Sequence, residues 1–402
     1  MTEVASATVT AAPAPSPGRA LWALLLGNLM IGTGFMLPIG ILHHIAEDLG
    51  VTVATAGALM WAAGVTLAIG APTMAWVTSR FDRRRLLATA LAAYVVGHGA
   101  SALATDFGWL LGSRLLTLVG AAIFSAQAAA TVALMVPPAR RAAAIAFVFI
   151  GWSVAAAATV PLTSWVGAVA GWRSAFWLVA VASAAAMTFV AAALPAGLRV
   201  APVSLRTWLD VARDPVLPMV LAVTVTQMTG AFVLYTFIAP EVERRLYPSP
   251  TLVAGLLACF GVAGVLGSAV ASGIAGRFPP GRLVTIGLGI AATGVLCVAV
   301  VPPWPALYAL AFFLWGLAGF AVQSLQQARL IAVRPAFAPA TAALNSAAIY
   351  LGQALGGAIG ASIIAGGHPA WLAWVAFALV AASVGVSIAA DRRAGRAAAP
   401  IP

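Results

Sequence analysis

The chain has 402 residues, 62% of them hydrophobic and only 8% charged, whereas an ordinary soluble domain carries about 25% charged residues. No water-soluble surface can be built from that composition, and at roughly twenty residues per crossing the length is used up by about a dozen membrane spans. The net charge of +11 rests on 21 arginines and no lysine; they stand singly or in short runs between apolar stretches, which is how membrane proteins mark loops, so the expected partner is the lipid bilayer and not nucleic acid.

In chain order, residues 1-19 are rich in Ala, Pro and Thr and read as a disordered tail. The first apolar run, Ala20 to Leu42, is longer than a signal-peptide core and lacks a basic lead and a cleavage site, so it is retained as a span. Charged or Pro-rich breaks place spans at 20-42, 53-77, 86-105, 108-132, 142-168 and 174-194. A second set follows at 216-239, 251-275, 283-301, 304-326, 341-365 and 369-390. Cys259 and Cys297 fall inside apolar runs and read as packing residues.

With both termini cytoplasmic, the outer loops hold Arg173, Arg244 and Arg245 and a span holds Arg114, leaving 17 arginines inside. That asymmetry predicts cytoplasmic termini, and an even number of spans agrees. The longest polar connection, 195-215, contains a short interfacial helix that Ser204 can cap, with Leu205, Trp208, Leu209 and Ala212 on one face. It divides a six-span bundle at 20-194 from a second at 216-390, followed by a tail at 391-402.

The two sets also repeat. At an offset of 197, Gly64 meets Gly261, Gly70 meets Gly267, Arg80-Phe81 meets Arg277-Phe278, Arg85-Leu86 meets Arg282-Leu283 and Gly97 meets Gly294. At 199, Gly120, Ser125 and Gln127 meet Gly319, Ser324 and Gln326. The expected fold is therefore all-α and polytopic: twelve transmembrane helices in two six-helix pseudo-repeats.

Charged and polar groups inside spans are the candidate site residues, because they are costly in lipid unless they face a cavity or a partner. Arg114 either faces such a cavity or snorkels to the outer surface. His98 lies eight residues before Asp106 and Arg114 eight after it, so a turn at Asp106 sets His98 and Arg114 at similar depth. A buried His there is either a proton site or a neutral hydrogen-bonding residue. Asn28, Thr33, Gln127, Trp152, Gln227, Tyr235, Trp315, Gln323, Asn345 and Gln353 form the substrate-path set, each equally able to join helices. His44 and Asp48 stand one turn apart like two metal ligands, but two ligands make no site, so no metal and no other cofactor is expected.

The stretches Gly40 to Gly50, the basic loop Arg80 to Arg85, Arg114 with Gly120, Val160-Pro161-Leu162, Gly171 to Phe176, Phe232 to Pro240, and Ala343 to Ser346 with Gly352 and Gly356 stand in a characteristic order. Together they resemble the major facilitator superfamily, within it the drug/proton antiporter branch that holds bacterial sugar-efflux and chloramphenicol-resistance exporters. The resemblance implies a monomeric secondary transporter with its substrate path between the halves. It also implies that the loop holding Arg80, Asp82, Arg83 and Arg84, repeated at Arg277 and Arg282, is a gating latch as well as a topology signal. There are departures: Ala75, Ser79 and Asp82 replace loop-motif residues, Thr159 and Thr163 replace glycines, and Gly34-Phe35 stands where the branch often carries an acid.

The resulting expectation is proton-driven export of a drug-like compound or sugar, coupled through Arg114 and His98 or through Asp106. A non-transporting sensor or a facilitated-diffusion uniporter are the alternatives. An enzyme is not expected, since no paired intramembrane acids, His-Glu-x-x-His or Ser/His arrangement occurs, and without lysine the chain has no phosphate-binding loop of its own.

Overall fold

In the computed structural model, which describes residues 17–78, 80–199, 205–246, 250–274 and 277–398, every regular element is a helix. Twelve are long: α1 (Pro17–Asp48), α2 (Ala58–Val77), α3 (Arg83–Ala102), α4 (Phe107–Met135), α5 (Pro138–Ala170), α6 (Trp172–Ala193), α7 (Leu217–Tyr235), α8 (Pro250–Ile274), α9 (Pro280–Val300), α10 (Pro305–Val333), α11 (Ala338–Ala365) and α12 (Leu372–Ala398). Helices are the expected solution, because in lipid each backbone N–H and C=O must find its partner within the segment. Eleven are long and apolar enough to cross a membrane. The twelfth, α3, is 20 residues long but opens on three arginines and contains His98, so it falls short in apolarity and not in length.

Local chemistry sets the helix ends. Asp82 caps α3 by accepting from Arg85 N at 3.1 Å, and Asp106 caps α4 by accepting from Trp109 N at 2.9 Å. Helices α5, α9 and α10 open on Pro138, Pro280 and Pro305, where a missing N–H costs nothing. Gly171, at φ +80°, turns the chain between α5 and α6 in a conformation that side chains rarely adopt.

The structure corrects two span readings. The run at 216-239 is broken, with α7 ending at Tyr235 and a short helix, Ile238–Leu246, following. Pro240 has no N–H and its ring would strike the carbonyl of Thr236, so α7 does not continue through it. The run at 304-326 extends to Val333, which carries Arg329 out of the loop assigned to it and into the bundle, 2% exposed. The linker helix is present at Leu205–Arg213, with Val211 buried and Leu209 exposed. Its expected cap Ser204, the loop residue Ser79 and most of the N-terminal tail lie outside the described residues.

The packing repeats as the sequence does. In the first half α1 packs on α5 and α6, α3 on α4 and α6, and α2 on α4; each pairing recurs six helices later. The halves join through α2 against α11 and α5 against α8, which are images of each other under the same rule. The repeated glycines mark the joints. A Cβ on Gly64 would lie 2.7 Å from Ala354 N on α11, and one on Gly261 would collide with the Ala157 backbone on α5. Below, the end of the bundle that carries both termini is the terminal face, and the opposite end is the far face.

Candidate functional site

Pro38 interrupts α1, and because it has no N–H the carbonyl of Gly34, one turn earlier, lacks its helical partner. Arg114 supplies one. From α4 its Nη1 donates to Gly34 O at 2.8 Å, its Nη2 to Phe35 O at 2.7 Å and its Nε to Leu59 O on α2 at 3.3 Å. The side chain is buried, so it does not snorkel, and no acid pairs with it among the described residues. One cation therefore ties α1, α2 and α4 together through carbonyls alone.

His98 faces the same point of α1. Its Nδ1 lies 2.8 Å from Tyr94 O, which takes the Nδ1 proton and leaves Nε2 as an acceptor that is buried without a partner. The Tyr94 hydroxyl donates to Ile31 O at 2.8 Å, and the Tyr94 and His98 rings are 4.4 Å apart. A side chain on Gly34 would collide with both, its Cβ falling 2.5 Å from His98 Nε2. The space that an acid on α1 would occupy is thus filled from α3. Asp106 does not join this group: it is an exposed cap, and eight residues of helix put it about 12 Å along the axis from Arg114.

The substrate-path candidates divide into aromatic and amide groups. Trp152 on α5 packs with Phe35 on α1 at 6.1 Å and with Tyr350 on α11 at 6.3 Å, and Phe35 and Tyr350 are 6.1 Å apart, so this trio spans the two halves. Tyr235 and Trp315 meet at 6.0 Å around Phe260 in the second half. Gln323 donates to Gln227 at 2.6 Å, while Asn345 accepts from Thr224 at 2.8 Å and donates to Gln327 at 3.1 Å. Thr33 accepts from Thr159 at 3.1 Å. Asn28 donates to Val148 O at 3.3 Å and Gln127 to Thr78 at 3.0 Å, both as helix-to-helix ties. The carbonyl oxygens of Asn28, Gln323 and Gln353 are buried without a partner. The sequence reading missed Tyr94, Phe35, Phe260 and Tyr350; a tyrosine inside a span, whose hydroxyl must be satisfied, was a usable signal for the first and last.

The Major Facilitator Superfamily model matches residues 24–361. The chain belongs to this superfamily. It is 30% identical over 347 residues to the inner membrane transport protein YdhP of Escherichia coli K12, covering 86% of this chain and 89% of that protein. It is also 30% identical to a chloramphenicol resistance protein of Streptomyces lividans, covering 87% and 89%. A solved bacterial homologue of the human lysosomal transporter Spinster, inward-facing and unoccupied, superposes with a TM-score of 0.72 at 16% identity over 95% of this chain and 96% of that one. The protein is a multi-pass membrane transporter of the facilitator fold that carries a small molecule, and not an enzyme.

In this superfamily member the loop before α3 is more built-in than its sequence suggests. Arg80, Arg84, Arg277 and Arg282 are exposed, as loop charges should be. Arg83 is not: it is fully buried, its Nη1 3.4 Å from Thr78 O and its backbone N donating to Leu198 O at 3.0 Å. Asp82 accepts from Gly197 N as well as from Arg85 N. These bonds pin the loop to the segment after α6, in its own half. At the far face Asp48 is taken by Trp172 Nε1, at 3.0 Å, and by Arg173, so the His44–Asp48 spacing is not a metal clip. Among the described residues no group of three or more His, Cys, Asp or Glu is placed to hold a metal.

Proposed function

We propose that the protein exports a neutral small organic molecule from the cytoplasm by alternating access, in exchange for a proton. The carrying observation is the aromatic trio from α1, α5 and α11 that bridges the halves, together with amides whose oxygens lack partners and an arginine bonded to the carbonyls of Gly34 and Phe35 beside it. No acid stands in the middle of a span to hold a cation. Such a surface suits a ligand that stacks and donates hydrogen bonds. Chloramphenicol, named for the Streptomyces relative, has both properties and is the first compound to try.

The excess of arginine on the terminal face supports an orientation with that face and both termini in the cytoplasm. For the proton we assign His98, whose free Nε2 stands where an acid on α1 would reach, beside the fixed charge of Arg114. The experiment is uptake of labelled chloramphenicol into everted vesicles with an imposed pH gradient. Uptake that collapses with the gradient supports the reading. Uptake indifferent to the gradient makes the protein a uniporter, which Gly34 in place of an acid would favour, and transport of none of a panel of neutral compounds sinks the proposal.

A further inference from the structure

The crossing of α1 with α5 and that of α7 with α11 are images of each other, but one is filled with rings and the other is not. A Cβ on Gly151 would meet Leu25 O and Leu29 N on α1, and one on Gly352 would meet Val225 O and Thr229 N on α7. Leu25 and Leu29 thus correspond to Val225 and Thr229, and Gly151 to Gly352. One turn nearer the terminal face the first half closes its crossing with Trp22 on α1 and Phe147 on α5, edge-on with centroids 5.0 Å apart. At the corresponding places the second half has Ala222 and Ala348.

A groove of about 480 Å³ opens beside Ala222. Its walls include Pro218, Ala222, Val225 and Thr226 along one face of α7, Ala212 on the linker helix Leu205–Arg213 and Leu344 on α11. The Thr226 hydroxyl donates to Ala222 O at 2.8 Å, so the wall asks no hydrogen bond of an occupant. From Pro218 to Thr226 the groove follows α7 for about 12 Å at 1.5 Å per residue, on a helix long and apolar enough to cross the membrane. An empty apolar groove forfeits dispersion contacts along its wall, and within a bilayer the material that fills it is hydrocarbon.

Charge at the mouth selects the kind of lipid. Arg213 directly follows Ala212, is exposed, and pairs with no acid among the described residues. Asp214 beside it is already taken by the amides of Val216 and Leu217 and by Arg334. The opposing acid is Asp210, exposed one turn before Arg213. The end of α12 adds Arg392 and Arg393, both exposed, because Ala390 and Ala394 share a packed cluster with Val211 and Leu344. Asp391 next to them is held by Arg329. Arginine thus outnumbers free acid here, and basic sites at the ends of membrane helices attract anionic lipid headgroups.

We propose that this groove binds one anionic phospholipid from the leaflet at the terminal face. An acyl chain takes the place in the second half that Trp22 and Phe147 fill in the first, and the headgroup phosphate rests on Arg213. The bound lipid ties the linker helix to α7 and α11. None of this depends on which compound is carried.

The test is native mass spectrometry of the full-length protein, titrated with phosphatidylglycerol and separately with phosphatidylcholine of the same acyl chains. The parent protein should retain one phosphatidylglycerol about fivefold more tightly than phosphatidylcholine, the effect of one arginine near the headgroup. Ala222→Trp, which supplies the ring that α1 carries, should no longer retain it. Arg213→Gln keeps the groove and should bring the two lipids to within about twofold of each other. Equal retention of both lipids by the parent overturns the proposal, and so does phosphatidylglycerol retained as before in Ala222→Trp. Should Ala222→Trp fail to fold, Arg213→Gln decides, because a headgroup preference that survives in it overturns the proposal equally. Loss of the lipid on adding chloramphenicol would make the groove a substrate site, and a dimer that Ala222→Trp dissolves would make it a subunit contact; either result overturns the assignment to lipid.

Discussion

Two buried arginines sit on equivalent helices of the two halves, and they are neutralised in different ways. Arg329 on α10 meets an acid, Asp391 on α12, at 2.8 Å, and also Ser387 Oγ at 3.0 Å and Ser387 O at 2.9 Å. Arg114 on α4 has carbonyls only. A buried pair with its own acid is electrically closed and reads as structure. A buried cation balanced only by peptide dipoles leaves a charge that a passing proton or substrate can feel, and in membrane proteins such groups mark transport paths. On the proposed reading the working charge lies in the first half, while rings and amides come from both.

The sharpest break of that contrast is at Arg114. Arg114→Ala should lower transport by at least about 100-fold, equivalent to ~2.7 kcal/mol, and should also lower thermal stability by about 1 to 3 kcal/mol by leaving the Gly34 carbonyl orphaned. Arg114→Lys should recover little, because one ammonium cannot serve three carbonyls on two helices as the guanidinium fork does. Vesicle uptake and melting of the purified protein measure both. Wild-type uptake in Arg114→Ala would reduce Arg114 to a helix tie like Arg329. Asp391→Asn should cost stability while leaving the transport rate within about threefold, a range of ~0.7 kcal/mol.

A second effect, nearly as large, concerns the joints. Gly64 and Gly261 are repeat partners, and each lies against backbone of the opposite half. Gly261→Val cannot be accommodated by a side-chain rotation, since Ala157 Cα and O stand in the way. It should force the halves apart at that joint and lengthen the distance between spin labels at Leu103→Cys and His368→Cys, exposed positions on opposite halves, with transport largely lost but membrane insertion intact. An unchanged distance distribution would show that the joint yields elsewhere.

How much of this was legible beforehand depended on whether the partners were near in sequence. Equal spacing about a turn set His98 and Arg114 at similar depth, and the repeat paired Gly64 with Gly261, but neither pattern showed that these glycines lie where the halves join. The acid next to Arg329 was not legible, because Asp391 is 62 residues away on another helix and a charge within one turn beyond a guessed helix end looks like a loop residue. Asp106 misled for the opposite reason. It sits midway between His98 and Arg114 in sequence, but a carboxylate at the first residue before a helix is already employed by the Trp109 amide.

The aromatic trio gives a smaller, graded effect. Tyr350→Ala removes the only member from the second half in the Phe35–Trp152–Tyr350 cluster and should raise KM about tenfold, given roughly 0.5 to 1.5 kcal/mol for a ring pair and two pairs lost. Tyr350→Phe keeps the ring and should change KM by less than about threefold, ~0.7 kcal/mol. Equal effects of the two would move recognition from the ring to the hydroxyl.

The smallest effect expected lies outside the membrane, at the start of the second half. Asp214 precedes α7, and its Oδ1 accepts from Val216 N at 2.8 Å and Leu217 N at 3.0 Å while Arg334 donates to Oδ2 at 2.7 Å. Burial works against the charged carboxylate here, but the two amides and then Arg334 outweigh it, and the group is held below its ordinary value. A depressed native pKa means that the unfolded chain takes up the proton first as pH falls, so the stabilisation is complete above the unfolded value of ~3.9 and is lost as pH drops through the lower native value. Asp214→Asn keeps one acceptor oxygen for the amides but loses the charge, and should cost about 1 kcal/mol at neutral pH. Melting curves of both proteins should therefore differ at pH 7 and converge toward pH 3. A gap that stays constant across that range would mean that Asp214 acts by hydrogen bonding alone, with Arg334 contributing nothing through charge.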